Sequence, residues 1–179
     1  MNIDQLKHVL RAAAAITDEQ EFVLVGSQAI LVQHPGAPDR MIMSAEIDIF
    51  PLHRPDLAEL IEGSIGGDSV FHETFGYHAD GVGPATARLP GDWRGRAIIL
   101  PGSSATGGAT AIAPDIHDLT MAKLLAGRTK DIEWVEAGHT AGLIDLARVA
   151  ALVPETTMTA EEQALLEARL ARIERQPNE

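Results

Sequence analysis

Apolar positions recur at helical spacing at the start of the chain. Ile3, Leu6, Leu10 and Ala13 fall on one stripe, and Asp4 suits the positive end of a helix that begins there. Glu21-Phe22-Val23-Leu24-Val25 is a short apolar run stopped by Gly26-Ser27, which predicts a buried strand. Gln28 to Val32 predicts the helix that follows, ended by a loop containing Pro35, Gly36 and Pro38. Ala45 to Phe50 alternates as a second strand. Pro55 fits the first turn of a helix that reaches about Glu62, where Gly63, Gly66 and Gly67 break it. Strands are predicted at Thr74–Asp80, Arg96–Leu100 and Ala109–Ala113, the last two joined by a turn-rich link from Gly102 to Gly108. From Pro114 onward the pattern is helical. One helix runs to Ala126 and stops at Gly127, another starts at Thr129, and Thr140 is placed to cap a third. Thr159-Ala160-Glu161-Glu162 forms a capping box for a final helix with Leu166, Leu170 and Ile173 on one face. The expected fold is α+β: a mixed sheet flanked by helices over residues 1–113, then a C-terminal helical part, 114–179, packed on that core.

Composition narrows the class. At 179 residues, 45% of them apolar, the chain can bury a core without staples. It has no cysteine, which excludes a disulfide framework, a thiolate zinc site and a cysteine nucleophile. No stretch approaches the roughly 18 apolar residues of a transmembrane helix. The first twenty residues lack the features of a secretory signal. The expectation is a cytoplasmic protein without membrane association. The seven histidines are scattered and form no pair at metal-site spacing. His72 and His78 fall in the middle segment, where they either line a cleft or are ordinary strand and loop residues. Trp93 and Trp134 are expected to serve packing.

The informative pattern is Val25-Gly26-Ser27 followed by Glu46-Ile47-Asp48. Glycine lets a polyphosphate approach the backbone, and a following helix start offers free N–H groups. Acids at i and i+2 on a strand point to one face, and paired carboxylates suit divalent cations that hold a triphosphate. The plain alternative is a common strand–turn–helix junction beside a solvated strand face.

The segments FVLVGSQAIL and SAEIDIF resemble the signature of the nucleotidyltransferase superfamily, a Gly-Ser followed by two acids on the next strand. PDIHDLTMAKLLAGRTKDIEWV and FHETFGYHADGVGPATARLPGDWRGR are similar to segments of small bacterial relatives of the AbiEii-type toxin group. The resemblance covers roughly residues 20 to 140. It implies a nucleotidyltransferase-like fold and transfer of a nucleoside monophosphate from an NTP, with two Mg²⁺ ions, to an acceptor hydroxyl. In the toxin group that acceptor is the 3′ end of a tRNA, and an antitoxin protein restrains the enzyme. The resemblance implies that Gly26 and Ser27 bind phosphates and that Glu46 and Asp48 are catalytic and hold the metal. It makes Lys123 a catalytic, phosphate-reaching residue and Asp131 the acid that orders the site, and puts Arg128 and Lys130 on the nucleotide. A third metal carboxylate is expected on a later strand, with Asp80 and Asp115 as candidates. Two departures, Glu46 in place of aspartate and a long spacer over residues 28–45, motivate an alternative. It is a catalytically degenerate module of the same fold that binds a nucleotide or a protein.

The charge of −12 excludes a broad nucleic-acid surface, but it is unevenly spread. Residues 1–84 carry 4 basic and 13 acidic side chains, and residues 136–179 carry 4 and 8. The stretch 85–135 carries 6 and 5, and holds Arg88, Arg94, Arg96, Lys123, Arg128 and Lys130 as candidate phosphate contacts. Within it, Asp118 suits the N-terminal end of its helix, with Asp118 as a cap and Lys123 solvated as the structural alternative.

Overall fold

The computed structural model describes residues 1–175. In chain order the elements are α1 (Ile3–Thr17), β1 (Glu21–Val25), α2 (Ile30–Gln33), α3 (Asp39–Ile42), β2 (Glu46–Pro51), α4 (Ala58–Ile65), α5 (Val70–Phe75), β3 (His78–Gly81), β4 (Ile98–Leu100), β5 (Thr110–Ala113), α6 (Ile116–Ala126), α7 (Thr129–Thr140), α8 (Leu146–Ala151) and α9 (Ala160–Glu174). The five strands form one mixed sheet in the order β3-β2-β1-β5-β4. β1 runs antiparallel to β2 and parallel to β5, β2 runs parallel to β3, and β4 closes the other edge antiparallel to β5. The class is α+β, as the hydrophobic pattern predicts.

Strand parity divides the sheet into two unlike faces. Phe22, Leu24, Ile47, Ile49 and Ala79 share one face and are fully buried in the main core with Leu6, Val9, Leu10 and Ala13 of α1. The register Val25↔Asp48 and Asp48↔Asp80 puts Val23, Val25, Glu46, Asp48, Phe50, His78 and Asp80 on the opposite face. That face is apolar at one end, where Val23, Val25 and Phe50 meet Leu52, Val82, Ala87, Leu89 and Trp93. It is ionisable at the other.

α6 crosses the interior with buried residues on nearly every side, so it shows no one-sided apolar stripe. Its buried polar groups are individually matched. Asp115 caps its first turn and accepts from the backbone N–H and the Nδ1 of His117, at 2.9 and 2.7 Å. Asp118 accepts a bidentate contact from Arg96, and Thr120 donates to the Ile116 carbonyl. α9 buries Leu166, Leu170 and Ile173 on the expected face behind the Thr159 capping box. Arg169 of α9 donates to the Leu124 carbonyl near the end of α6.

Local differences from the sequence reading have local causes. Residues 70–75 are helical rather than the start of a strand. The Ser69 side chain accepts the His72 N–H, Gly76 ends the helix at φ 73°, and the strand begins only at His78. Gly63 does not break α4, because the helix continues to Ile65 with open space at that position. Asp145, not Thr140, caps the helix after α7 by accepting from the N–H groups of Ala147 and Arg148. The helix expected after Ser27 is a 3-10 turn over residues 27–29 that runs into the four-residue α2.

Candidate active site

The site lies where β1 ends beside the ionisable half of the sheet face. Gly26 leaves β1 with φ 70°, a left-handed value that favours glycine. A Cβ there would sit 1.8 Å from Asp48 Oδ2, so the absent side chain is what lets the turn and the carboxylate share one place. The long spacer does not displace the acids. Residues 28–45 fold as the 3-10 turn, α2, α3 and their links, and return the chain so that Val25 pairs with Asp48.

β3 supplies what the sequence reading left open. Asp80 pairs with Asp48 in parallel register, and His78 pairs with Glu46, so four ionisable side chains form two adjacent rows. One ligand atom from each of Glu46, His78 and Asp80 lies within 4.8 Å of the others. His78 Nε2 is 3.1 Å from Asp80 Oδ1, and its Nδ1 is 3.0 Å from His72 Nδ1. Asp115, the other candidate, is committed elsewhere: it accepts from His117 and, at 3.1 Å, from Gln33. The signal for His78 and Asp80 was present in the sequence as a second i, i+2 pair on a strand, the same spacing that marked Glu46 and Asp48.

The acids repel one another. Burial, with Asp80 and Glu46 adding to it, raises the Asp48 carboxyl to about 6 even though Lys123 and Lys130 oppose the shift. Burial and the charges of Glu46 and Glu62 also raise Asp80, against the pull of His78.

Opposite the acids stands a cationic wall. Lys123 is buried, not solvated: its Nζ donates to Ser27 Oγ at 2.8 Å and to Asp131 Oδ1 at 3.3 Å. It also lies 4.8 Å from the ring centre of Trp134, which is itself fixed by an Nε1–H donated to the Met41 carbonyl. Burial lowers the Lys123 ammonium below its ordinary value, against the pull of Asp131. Asp131, 1% exposed, also accepts from Arg128 at 2.5 and 3.2 Å. Burial alone would raise its carboxyl, but the Arg128 bond and the Lys123 charge outweigh burial and lower it. One carboxylate thus serves two cations, which leaves a positive charge facing the acids. Lys130 is exposed at the same rim.

Gly26, Ser27, Ser44, Glu46, Asp48, Asp80, Lys123, Arg128 and Lys130 line one polar cavity. It continues past Asp48 and Lys123 into a less polar cleft between Leu119, Ala122 and Ala126 of α6 and the loop carrying Thr86, Ala87 and Arg88. Apart from Asp115, the residues singled out on the resemblance therefore meet in one place, Asp131 as a wall of the adjoining cleft. Of the other candidate arginines, Arg88 reaches only the adjoining cleft, and none lines the polar cavity. Arg96 is bound to Asp118 and Glu155, Arg88 holds Glu162 and the Thr157 carbonyl at the far rim, and Arg94 lies over Trp93.

A glycine turn facing paired acidic strands, with a buried lysine across the gap, is an arrangement suited to handling nucleotide phosphates. The chain belongs to a nucleotidyltransferase family: residues 3–176 match the family described as nucleotidyltransferase of unknown function (DUF6036), so its general chemistry is nucleotidyl transfer. No curated protein and no solved structure matches it. Among the described residues, no helix is long and apolar enough to cross a membrane.

Proposed function

We propose that the protein transfers a nucleoside monophosphate from an NTP to an acceptor hydroxyl and releases pyrophosphate. The single observation that carries this is the meeting of Glu46, Asp48 and Asp80 with Lys123, Arg128 and Lys130 around the Gly26–Ser27 turn. The acceptor oxygen forms a bond to the α phosphorus as the bond from that phosphorus to the bridging β oxygen breaks. The departing pyrophosphate carries that electron pair.

Three carboxylates with oxygen donors on one sheet face, two of them raised by burial and by neighbouring acids, fit Mg²⁺. Glu46, Asp48 and Asp80 would hold it. When bound, the cation neutralises triphosphate charge and lowers the pKa of the acceptor hydroxyl. The chain's own residues do the rest. Backbone amides of the Gly26–Ser27 turn and the Ser27 hydroxyl meet the β and γ phosphates, and Lys123, Arg128 and Lys130 offset the charge that builds on the leaving pyrophosphate. This falls to the turn and the three cations, because α2 is too short to contribute a helix dipole of its own. Asp80 Oδ1 faces His78, which leaves Oδ2 to take the hydroxyl proton. The resemblance to the toxin group extends the reading to an RNA 3′ end, such as that of a tRNA, as acceptor, with an antitoxin as protein partner. The cationic rim of Arg128 and Lys130 is the part of the site that favours RNA, and that affinity falls with salt.

The test is incubation with each labelled NTP, Mg²⁺ and total RNA. RNA labelling that disappears in Asp48→Ala is the expected result, and equal labelling by that variant overturns the assignment. Binding of Mg-NTP by calorimetry without pyrophosphate release would instead favour a degenerate binding module, the reading that Glu46 in place of aspartate motivates.

A further inference from the structure

The acid cluster differs from a purely carboxylate site in one respect: a histidine stands within it. His78 pairs with Glu46 across the strands and shares β3 with Asp80, its Nε2 3.1 Å from Asp80 Oδ1, and its side chain is 13% exposed. Its other ring nitrogen is engaged by a second histidine outside the cluster, His72, at 3.0 Å. His72 is placed by α5, whose first turn is fixed by Ser69. A histidine that binds a cation characteristically has its second nitrogen held by an outer partner, which sets the tautomer and the ring plane. The His72 contact allows two tautomers: with His72 Nδ1–H donated to His78, the Nε2–H of His78 is left for Asp80, and with His78 Nδ1–H donated to His72, its Nε2 lone pair faces the carboxylates of Asp80 and Glu46. Without a cation that geometry would set lone pair against lone pair. The site is then satisfied either by an Nε2–H donated to Asp80 or by a cation between them.

We propose that His78 is a nitrogen ligand in a mixed site completed by Glu46 and Asp80, and that this site takes a transition divalent cation such as Mn²⁺ in preference to Mg²⁺. The proposal deepens the transfer reading above and rests on it. Imidazole favours first-row transition ions, whereas Mg²⁺ keeps oxygen ligands and gains little from a nitrogen. Asp48 pairs directly with Asp80 but lies outside the set of three, so an all-oxygen position beside it stays compatible with Mg²⁺. His72 is a positioning residue in this scheme, acting on the cation only through the ring of His78.

The experiment measures metal directly on the full chain without NTP. Mn²⁺ is titrated and followed by electron paramagnetic resonance, and pulsed spectra are searched for ¹⁴N modulation from an imidazole. The expected result is ¹⁴N modulation in the wild type that is lost in His78→Asn. The Mn²⁺ Kd should rise about tenfold or more, while the Mg²⁺ Kd, read by competition, changes by less than about threefold. His72→Ala should keep the modulation and weaken Mn²⁺ by about tenfold. Thermal unfolding of the metal-free variants establishes that they fold. Wild-type Mn²⁺ bound without ¹⁴N modulation, modulation that persists in His78→Asn, or no Mn²⁺ binding at all would each overturn the proposal. Pyrophosphate release with Mg²⁺ alone is read separately, so failure of the histidine ligand and failure of the transfer reading give different results.

Discussion

Two groups of acids in this fold are treated in opposite ways. Asp115, Asp118 and Asp131, on or beside α6 and α7, are almost fully buried, and each is met by a cation or a histidine: His117, Arg96, and the pair Lys123 and Arg128. Glu46, Asp48 and Asp80, on β2 and β3, are less buried and face one another, and the carboxyls of Asp48 and Asp80 are held above their ordinary values. Buried charge is tolerated where it is paired, and the first group follows that rule. The second departs from it in the open cavity beside the glycine turn. An arrangement that costs stability and gathers negative charge in a cleft marks a place built to receive positive charge.

The comparison breaks most sharply at Arg96. Its bidentate bond to Asp118, at 2.8 to 3.3 Å, is the ion pair of a carboxylate with no exposed surface. Arg96→Ala leaves that charge buried and alone, with an expected loss of about 3–5 kcal/mol in urea unfolding. Asp48→Asn should leave stability at pH 7 unchanged or higher, because it relieves repulsion. The same variant should lower transfer by about a thousandfold, equivalent to roughly 4 kcal/mol of lost transition-state stabilisation. If Arg96→Ala is neutral, or Asp48→Asn strongly destabilising, the division between the two groups fails.

pH sharpens the division through its sign. The Asp48 carboxyl is raised to about 6 in the folded, metal-free protein, so the folded state binds the proton more tightly than the unfolded chain. Its contribution is therefore full at low pH and is lost as pH rises from about 4 to about 6. At about 1.4 kcal/mol per pKa unit the expected fall is up to about 3 kcal/mol. Asp115 behaves oppositely. Burial would raise its carboxyl, but bonds from His117 and Gln33 outweigh burial and hold it at about 2. Its contribution is present above about pH 4 and is lost as pH falls toward 2, by about 2 kcal/mol. Unfolding midpoints between pH 2.5 and 7 should thus rise and then fall. Asp48→Asn should flatten the upper limb only, and Asp115→Asn the lower limb only. A curve that Asp48→Asn leaves unchanged would show that the sheet acids do not strain one another.

Much of this was legible in the sequence, for reasons particular to the residues. The core of β1, the alternation in β2 and the capping box of α9 are local patterns, and local pattern governs such elements. Gly26-Ser27 with Glu46 and Asp48 was legible because strand parity alone puts the acids on one face. The meeting of Lys123 with Ser27, 96 positions apart in sequence, was reached only through the resemblance, since no local spacing encodes it. The role of Arg96 is hidden in the sequence for the same reason. As a basic residue in the least acidic stretch it looked like a phosphate contact, and only the packing of α6 shows that Asp118 claims it. The boundary near residue 74 is not legible in the sequence because Val70, Phe71 and Phe75 suit a strand or a helix equally. The Ser69 cap and Gly76, together with aromatic packing of Phe71, Phe75 and Tyr77 around His8, decided for the helix.

The smallest expected effect tests how the two groups are joined. Ser27 Oγ accepts from Lys123 Nζ at 2.8 Å, and it links the turn beside the sheet acids to the matched cluster of Asp131. Ser27→Ala removes one hydrogen bond to a charged donor at a partly exposed site. Asp131 and the Trp134 ring remain for the ammonium, so the loss of stability should stay near 1 kcal/mol. Its effect on transfer should be larger in KM than in kcat if the hydroxyl meets phosphates in the bound state and in the transition state alike. A matching fall in kcat with KM unchanged would mean that the Ser27 contact forms only as pyrophosphate leaves. Steady-state kinetics of Ser27→Ala beside Ser27→Thr, which keeps the hydroxyl, separates the two. Recovery of KM in the threonine variant assigns the effect to the hydroxyl, and equal loss in both assigns it to the shape of the turn.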